Sequence, residues 1–246
     1  SEATDVTVIT NVVNKEKMMI KQLGFLPNVA IVDPLLTLSA PKKVTAATGI
    51  DALSHAIEAY ISKLAHPMTD MLALSAIKRI ANNLLTVYEH GNHIKAREQL
   101  SLGSLQAGMA FGNASVCLVH GLSRPIGALF DVPHGFSNAM LLPAVLEFSK
   151  DACIERLADV GRIFTNKTLS DEEAADFAVS SIKQLCAKLH IPNLKEWGID
   201  EETFERNVPK MAEDALRSGS PANNPRVPTI DEIKELYITC FHYKFE

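Results

Sequence analysis

The sequence predicts a mainly α-helical protein with two β-strands at its N-terminal end. Three observations carry this expectation: β-branched runs confined to the first 35 residues, apolar residues at helical spacing from Pro41 onward, and Ser/Thr caps with Glu three positions later at the later helix starts. DVTVITNVV, residues 5 to 13, is rich in β-branched residues with partial alternation, and NVAIVDP, residues 28 to 34, is a short apolar run closed by Asp-Pro; both read as strands. Pro41 suits a first helical position, and the segment from there to Ser62 keeps helical apolar spacing. His66-Pro67 breaks that helix, and MTDMLALSAIKRIANNLLTVY continues as a second, amphipathic one. The break is short, so the two helices are expected to pack as neighbours. A third runs from about Lys95 through LGSLQAGMAFGNA, where small residues permit close helix contact. Ser170 with Glu173 and Thr229 with Glu232 have the capping-box pattern, and Asp200 stands ahead of EETFERNVPKMAEDAL. SGSPANNPRVP, residues 218 to 228, is the one long Pro/Asn-rich connection and reads as a surface turn. Two strands cannot make a stable sheet by themselves. The layout is lopsided, and further structure is expected ahead of these residues or from another chain.

Composition narrows the function classes. The 246 residues carry 24 Lys and Arg against 29 Asp and Glu, a formal net charge of −5, which argues against nonspecific nucleic-acid binding and for a small-molecule partner. No apolar run of about 18 residues occurs, and SEATDVTVIT lacks the basic-then-apolar layout of a secretion signal. A soluble, cytoplasmic protein with no membrane partner is expected. Cys117, Cys153, Cys186 and Cys240 show no C-x-x-C pairing and read as reduced thiols packed as small hydrophobes.

The chemistry starts in GIDALSHAIEAY, residues 49 to 60, where Asp51 and His55 stand four apart and so share one helix face. Such a pair arises often by chance; alone it is more commonly a charge near a helix start plus a hydrogen-bonded histidine. LVHGLSRPIGALFDVPHG, residues 118 to 135, adds His120 and His134, the latter in a Pro-His-Gly context where a side chain can point across a cleft. One carboxylate and three imidazoles suit Fe(II) or Zn(II) and are poor for calcium or magnesium, which prefer oxygen shells. A closed four-ligand site would be structural and an added open position would make it catalytic; spacing leaves both open. His90 and His93 in HGNH lack partner acids, and Trp197 reads as a packing anchor.

Asp33, Pro41, the run AATGIDALSHAIE ending at Glu58, and HGLSRPIGALFDVPHG together resemble the iron-containing (group III) alcohol dehydrogenase family over nearly the whole chain. Ser1-Glu2-Ala3-Thr4 resembles the end of that family's nucleotide loop, and NNPRVPTIDEI its final helix start. The resemblance implies that residues 1–38 are the remnant of a truncated Rossmann-like α/β nucleotide-binding domain and that 39–246 form an all-helical metal-binding domain. It implies Asp51, His55, His120 and His134 as ligands of Fe2+ or Zn2+, and hydride transfer between a small alcohol or aldehyde and NAD or NADP, with the metal holding the substrate oxygen. It places Thr4, Val8 and Lys17 along the cofactor, and Phe111 and Arg124 at the substrate; a solvated charge in a turn and a core aromatic are the plain readings of Lys17 and Phe111. A homodimer is the family tendency. No G-x-G-x-x-G occurs here, so the 246 residues read as a C-terminal fragment, inactive alone.

One position departs from the pattern. Many family members carry a second histidine four residues after His120, where this sequence has Arg124. Arginine stays charged at ordinary pH and cannot relay the alcohol proton. Either solvent or a ribose hydroxyl takes that proton, the preferred reading, or the planar fork grips an anion such as a substrate carboxylate or a cofactor phosphate. Two other functions stay open: a stand-alone, non-catalytic metal-binding domain, and a relative of glycerol dehydrogenase or dehydroquinate synthase, from which the full Asp-His-His-His set points away.

Overall fold

In the computed structural model, which describes residues 4–245, two strands lead into nine α-helices among the described residues. The nucleotide-loop likeness at Ser1, Glu2 and Ala3 lies outside the described residues. Strands β1 (Val6–Asn11) and β2 (Glu16–Lys21) form an antiparallel hairpin in which Val6 faces Lys21 and Asn11 faces Glu16. The first expected strand is therefore found, but the second is EKMMIK and not NVAIVDP. A tight turn with Lys15 at φ 51° brings β2 directly alongside β1, and pairing across so short a loop needs little closure entropy. NVAIVDP stays irregular and exposes Val29 and Ile31. Lys17 consequently sits in a strand, not in a turn.

The helices are α1 (Lys42–Ile61), α2 (Pro67–Glu89), α3 (Ile94–Ala114), α4 (Leu118–Leu129), α5 (His134–Ser149), α6 (Ile154–Ile163), α7 (Asp171–Lys188), α8 (Glu201–Arg217) and α9 (Ile230–Phe241). Helix α1 is apolar on nearly every face and lies at the centre, packed on α2, α3 and α5. Gly49, Ala52 and Ala56 keep it thin enough for this; a side chain at Gly49 would collide with Leu84 of α2. The break between α1 and α2 falls at His66 as the sequence suggests, with His66 and Thr69 capping the start of α2. Both capping boxes form in both directions: Ser170 with Glu173 at 2.9 and 3.2 Å, and Thr229 with Glu232 at 2.8 and 3.2 Å. Asp200 caps α8 through the Thr203 amide at 2.9 Å.

The connection over residues 218–228 is not a surface turn. Ser220, Pro221 and Asn224 are buried, and Pro221 packs on Gly121 of α4. Burial is tolerable because the side chains here satisfy polar groups: Asn224 Nδ2 donates to Ser149 Oγ at 2.9 Å and to the Arg226 carbonyl at 2.8 Å. The cysteines are unbonded, three of them buried, and burial pushes the thiols of Cys186 and Cys240 up to about 12. No single helix among the described residues is long and apolar enough to cross a membrane.

The contact of α6 with α7 depends on Gly161, where any Cβ would fall inside the van der Waals envelope of the Ala174 carbonyl. Backbone cannot step aside as a flexible side chain can. Gly161→Ala is expected to destabilise the protein by at least about 1–3 kcal/mol, the usual range for overpacking, read as a lowered midpoint in urea unfolding with an unchanged slope.

Candidate metal centre

Three elements converge midway along α1. Asp51 and His55 project from successive turns of α1, His120 from the first turn of α4, and His134 is the first residue of α5. Two backbone reversals set this up: Ser115 at φ 63° turns the chain between α3 and α4 through 102°, and Asp131 at φ 53° turns it back between α4 and α5. The four expected residues are brought together, each offering one donor atom, and all four atoms lie within 4.8 Å of one another. Asp51 Oδ1 stands 3.5 Å from His120 Nε2, 3.8 Å from His134 Nε2 and 3.9 Å from His55 Nδ1.

A ring nitrogen can bind a metal only through a free lone pair, so the tautomer matters. For His120 it is fixed by Glu58, seven residues after Asp51 and only 1 % exposed. Glu58 Oε2 lies 2.5 Å from His120 Nδ1, and its Oε1 accepts from the Val119 amide at 2.6 Å. With Nδ1–H donated to Glu58, Nε2 is the ring nitrogen that faces the cluster, and it offers a lone pair to an ion once its own proton is displaced. The ring of His55 is clamped between Phe111, stacked at 4.3 Å, and His120, stacked at 4.4 Å. His134 is the open side, its side chain 41 % exposed.

Charges in the cluster are strongly coupled. Burial alone would raise the Asp51 carboxyl, but His55, His120 and His134 hold it well below the usual carboxylate range. Burial drives His55 and His134 downward, leaving them neutral at pH 7. His120 goes the other way: burial is outweighed by Glu58 and Asp51, which raise it.

Asn138, one turn into α5 and fully buried, reaches into the middle of the cluster. Its amide nitrogen lies 2.6 Å from Asp51 Oδ1, 3.0 Å from His120 Nε2 and 3.1 Å from His134 Nε2, while its Oδ1 has no partner. An amide nitrogen carries two hydrogens, one of which goes to Asp51 Oδ1, and the two imidazole nitrogens accept from it only in the tautomers that leave Nε2 bare. Such an electron-rich hollow suits a cation. Zinc–nitrogen bonds of about 2.0–2.1 Å place tetrahedral neighbours roughly 3.4 Å apart, close to the separations found, and the donor set fits iron or zinc.

The remaining expected residues are spread more widely. Phe111 is buried on His55. Arg124 lies one turn after His120 on α4, and Lys17 reaches it from β2, its Nζ filling the space a side chain at Gly127 would need. Val8 is half exposed on β1 opposite Met19, and Thr4 is buried just before β1. Sequence reasoning gave no role to Glu58 or Asn138. An acid on the Asp51–His55 face of an apolar helix, and an amide four residues after His134, are the signals that point to them.

The model for the C-terminal part of the Fe-containing alcohol dehydrogenase family matches residues 45–241. The 1,3-propanediol dehydrogenase of Citrobacter freundii is 44 % identical over 244 residues, a match covering 98 % of this chain and 62 % of that protein. An NADPH-dependent butanol dehydrogenase of Clostridium saccharobutylicum is 38 % identical over 247 residues, 100 % of this chain and 63 % of its own length. A crystal structure of a 1,3-propanediol oxidoreductase superposes with a TM-score of 0.92 at 41 % identity, covering 98 % of this chain and 63 % of that one. The chain thus spans about three-fifths of the length of these relatives. The likeness extends through α1, α4 and α5, the helices that build the cluster, and the chain belongs to the iron-containing alcohol dehydrogenase family, of which it represents the C-terminal part.

Proposed function

We propose that this chain is the metal-binding part of an NAD(P)-linked alcohol dehydrogenase or aldehyde reductase, with Asp51, His55, His120 and His134 as ligands of one Fe2+ or Zn2+. The observation that carries the reading is the convergence of one carboxylate and three imidazoles, whose four ligand atoms all lie within 4.8 Å of one another. Lewis-acid polarisation of a substrate oxygen is what such an ion supplies when bound, and hydride exchange is what a nicotinamide supplies. The chain's own residues do the rest. Glu58 hydrogen-bonds His120 Nδ1, Phe111 holds the His55 ring flat and keeps water from its outer face, and the exposed edge of His134 leaves an approach for a small alcohol or aldehyde.

Residues 1–38 we assign to the end of a nucleotide-binding domain, with Thr4, Val8 and Lys17 along the cofactor, and 39–246 to the metal-binding domain. Exposed apolar side chains over this stretch, among them Val12, Val13, Leu23, Ile31 and Leu36, support the assignment, since so much apolar surface wants a covering partner.

Two expectations follow. Anaerobically prepared protein should hold one divalent ion per chain by elemental analysis, Asp51→Ala should hold none, and Glu58→Gln should weaken metal affinity by about 10–100-fold, the usual effect of removing a ligand's hydrogen-bond partner, with an unchanged circular dichroism spectrum. An unaltered affinity in Glu58→Gln would refute the role given to that carboxylate. Oxidation of NADH or NADPH by an aldehyde should be absent with the 246 residues alone, present when a nucleotide-binding domain precedes them, and abolished by a chelator. Turnover by the 246 residues alone would overturn the division of labour, and no turnover in either form would favour a metal-binding domain without catalysis.

A further inference from the structure

Arg124 is 4 % exposed and has no carboxylate partner among the described residues. Its Nη1 donates to Ser220 Oγ at 2.9 Å, its Nη2 meets the Met19 sulfur at 3.2 Å, and its buried Nε has no acceptor. Buried charges are ordinarily paired, and a guanidinium presents five donors in a planar fork matched to a carboxylate. A thioether is a weak acceptor on a flexible, unbranched side chain. Met19 therefore stands where an anion belongs and can move aside for one. Lys17, half-buried on the same strand, also has no acid within ion-pair distance among the described residues, and its ammonium lies at Gly127, three residues beyond Arg124. Arg124 follows the cluster residue His120 by one turn and shares its face of α4.

We propose that Arg124 holds the carboxylate of a short ω-oxo or ω-hydroxy acid whose far end reaches the Asp51–His55–His120–His134 cluster; this rests on the cluster being the metal site of an alcohol dehydrogenase. Residues four apart on a helix have Cβ atoms about 5–6 Å apart, so His120 and Arg124 suit an acid on the order of four carbons long. The carboxylate accepts from the fork and takes no part in the bond changes. On reduction, hydride passes from the reduced nicotinamide to the aldehyde carbon and one proton from water to its oxygen. A neutral aldehyde leaves the fork unpaired, and a site built to pair a polar group rejects analogues that lack it.

The test uses the complete, metal-loaded protein with 4-oxobutanoate and butanal as substrates and succinate as a non-reacting ligand. Arg124→His removes the planar fork, and Arg124→Lys retains the charge. The expected result is a wild type that prefers 4-oxobutanoate. Arg124→His should lower kcat/KM for that substrate about 10–100-fold relative to butanal, the worth of a charge-assisted hydrogen bond, through KM. Succinate affinity by calorimetry should fall by a similar factor in Arg124→His and less in Arg124→Lys. Equal losses on both aldehydes, or a raised KM for the reduced nicotinamide alone, which would put the fork on a cofactor phosphate, would overturn the proposal. Failure of the wild type to reduce either aldehyde would count against the dehydrogenase reading, and the succinate titration, which needs no turnover, would still decide the carboxylate site.

Discussion

The fold around the cluster depends on one buried hydrogen bond, that between the Glu58 carboxylate and the Nδ1–H of His120. A carboxylate 1 % exposed is costly to bury unless both oxygens are satisfied. Here one oxygen takes the imidazole and the other the Val119 amide, an orphan donor in the first turn of α4. The same side chain therefore caps one helix, ties it to another, and decides which face of an imidazole carries the lone pair. Removing it would leave α4 uncapped and His120 free to choose its tautomer. Position and protonation at this point are one constraint.

That constraint reaches the rest of the structure through α1. The helix can be central only because Gly49, Ala52 and Ala56 present almost no side chain to their neighbours. A side chain at Gly49 would push α2 away through Leu84, and the close approach of α5 rests on Gly135, where a Cβ would meet the Ala47 backbone. The left-handed residues Ser115 and Asp131 matter for the same reason: they shorten the links on either side of α4, so that His120 and His134 begin their helices within reach of α1. Neither is a glycine, and each carries a local backbone cost that the surrounding packing sustains.

Much of this was legible in the sequence, and the misses share a cause. Helical spacing marked the run of helices after Pro41, and Ser170, Asp200 and Thr229 marked their starts, because these signals are local and act over one or two turns. The four cluster residues were legible because two pairs of short motifs carried them. NVAIVDP misled because strand character is a property of pairing, and composition alone does not say which neighbour supplies the partner; the adjacent EKMMIK, charged at both ends, did. The buried 218–228 connection misled because its Ser, Asn and Pro residues look solvated until their hydrogen bonds are traced. Glu58 and Asn138 left only a spacing signal for a different reason: their roles exist only where α1, α4 and α5 meet.

The cluster draws on positions 51 and 120, roughly seventy residues apart along the chain. Any ion held there acts as a staple across a long loop, taking conformational freedom away from the unfolded chain. The bond lengths that serve chemistry would then also govern how long the polypeptide lasts. Scarcity of the ion would show first as faster proteolytic clearance of the molecules that lack it, so that the amount of protein present tracks the supply of metal.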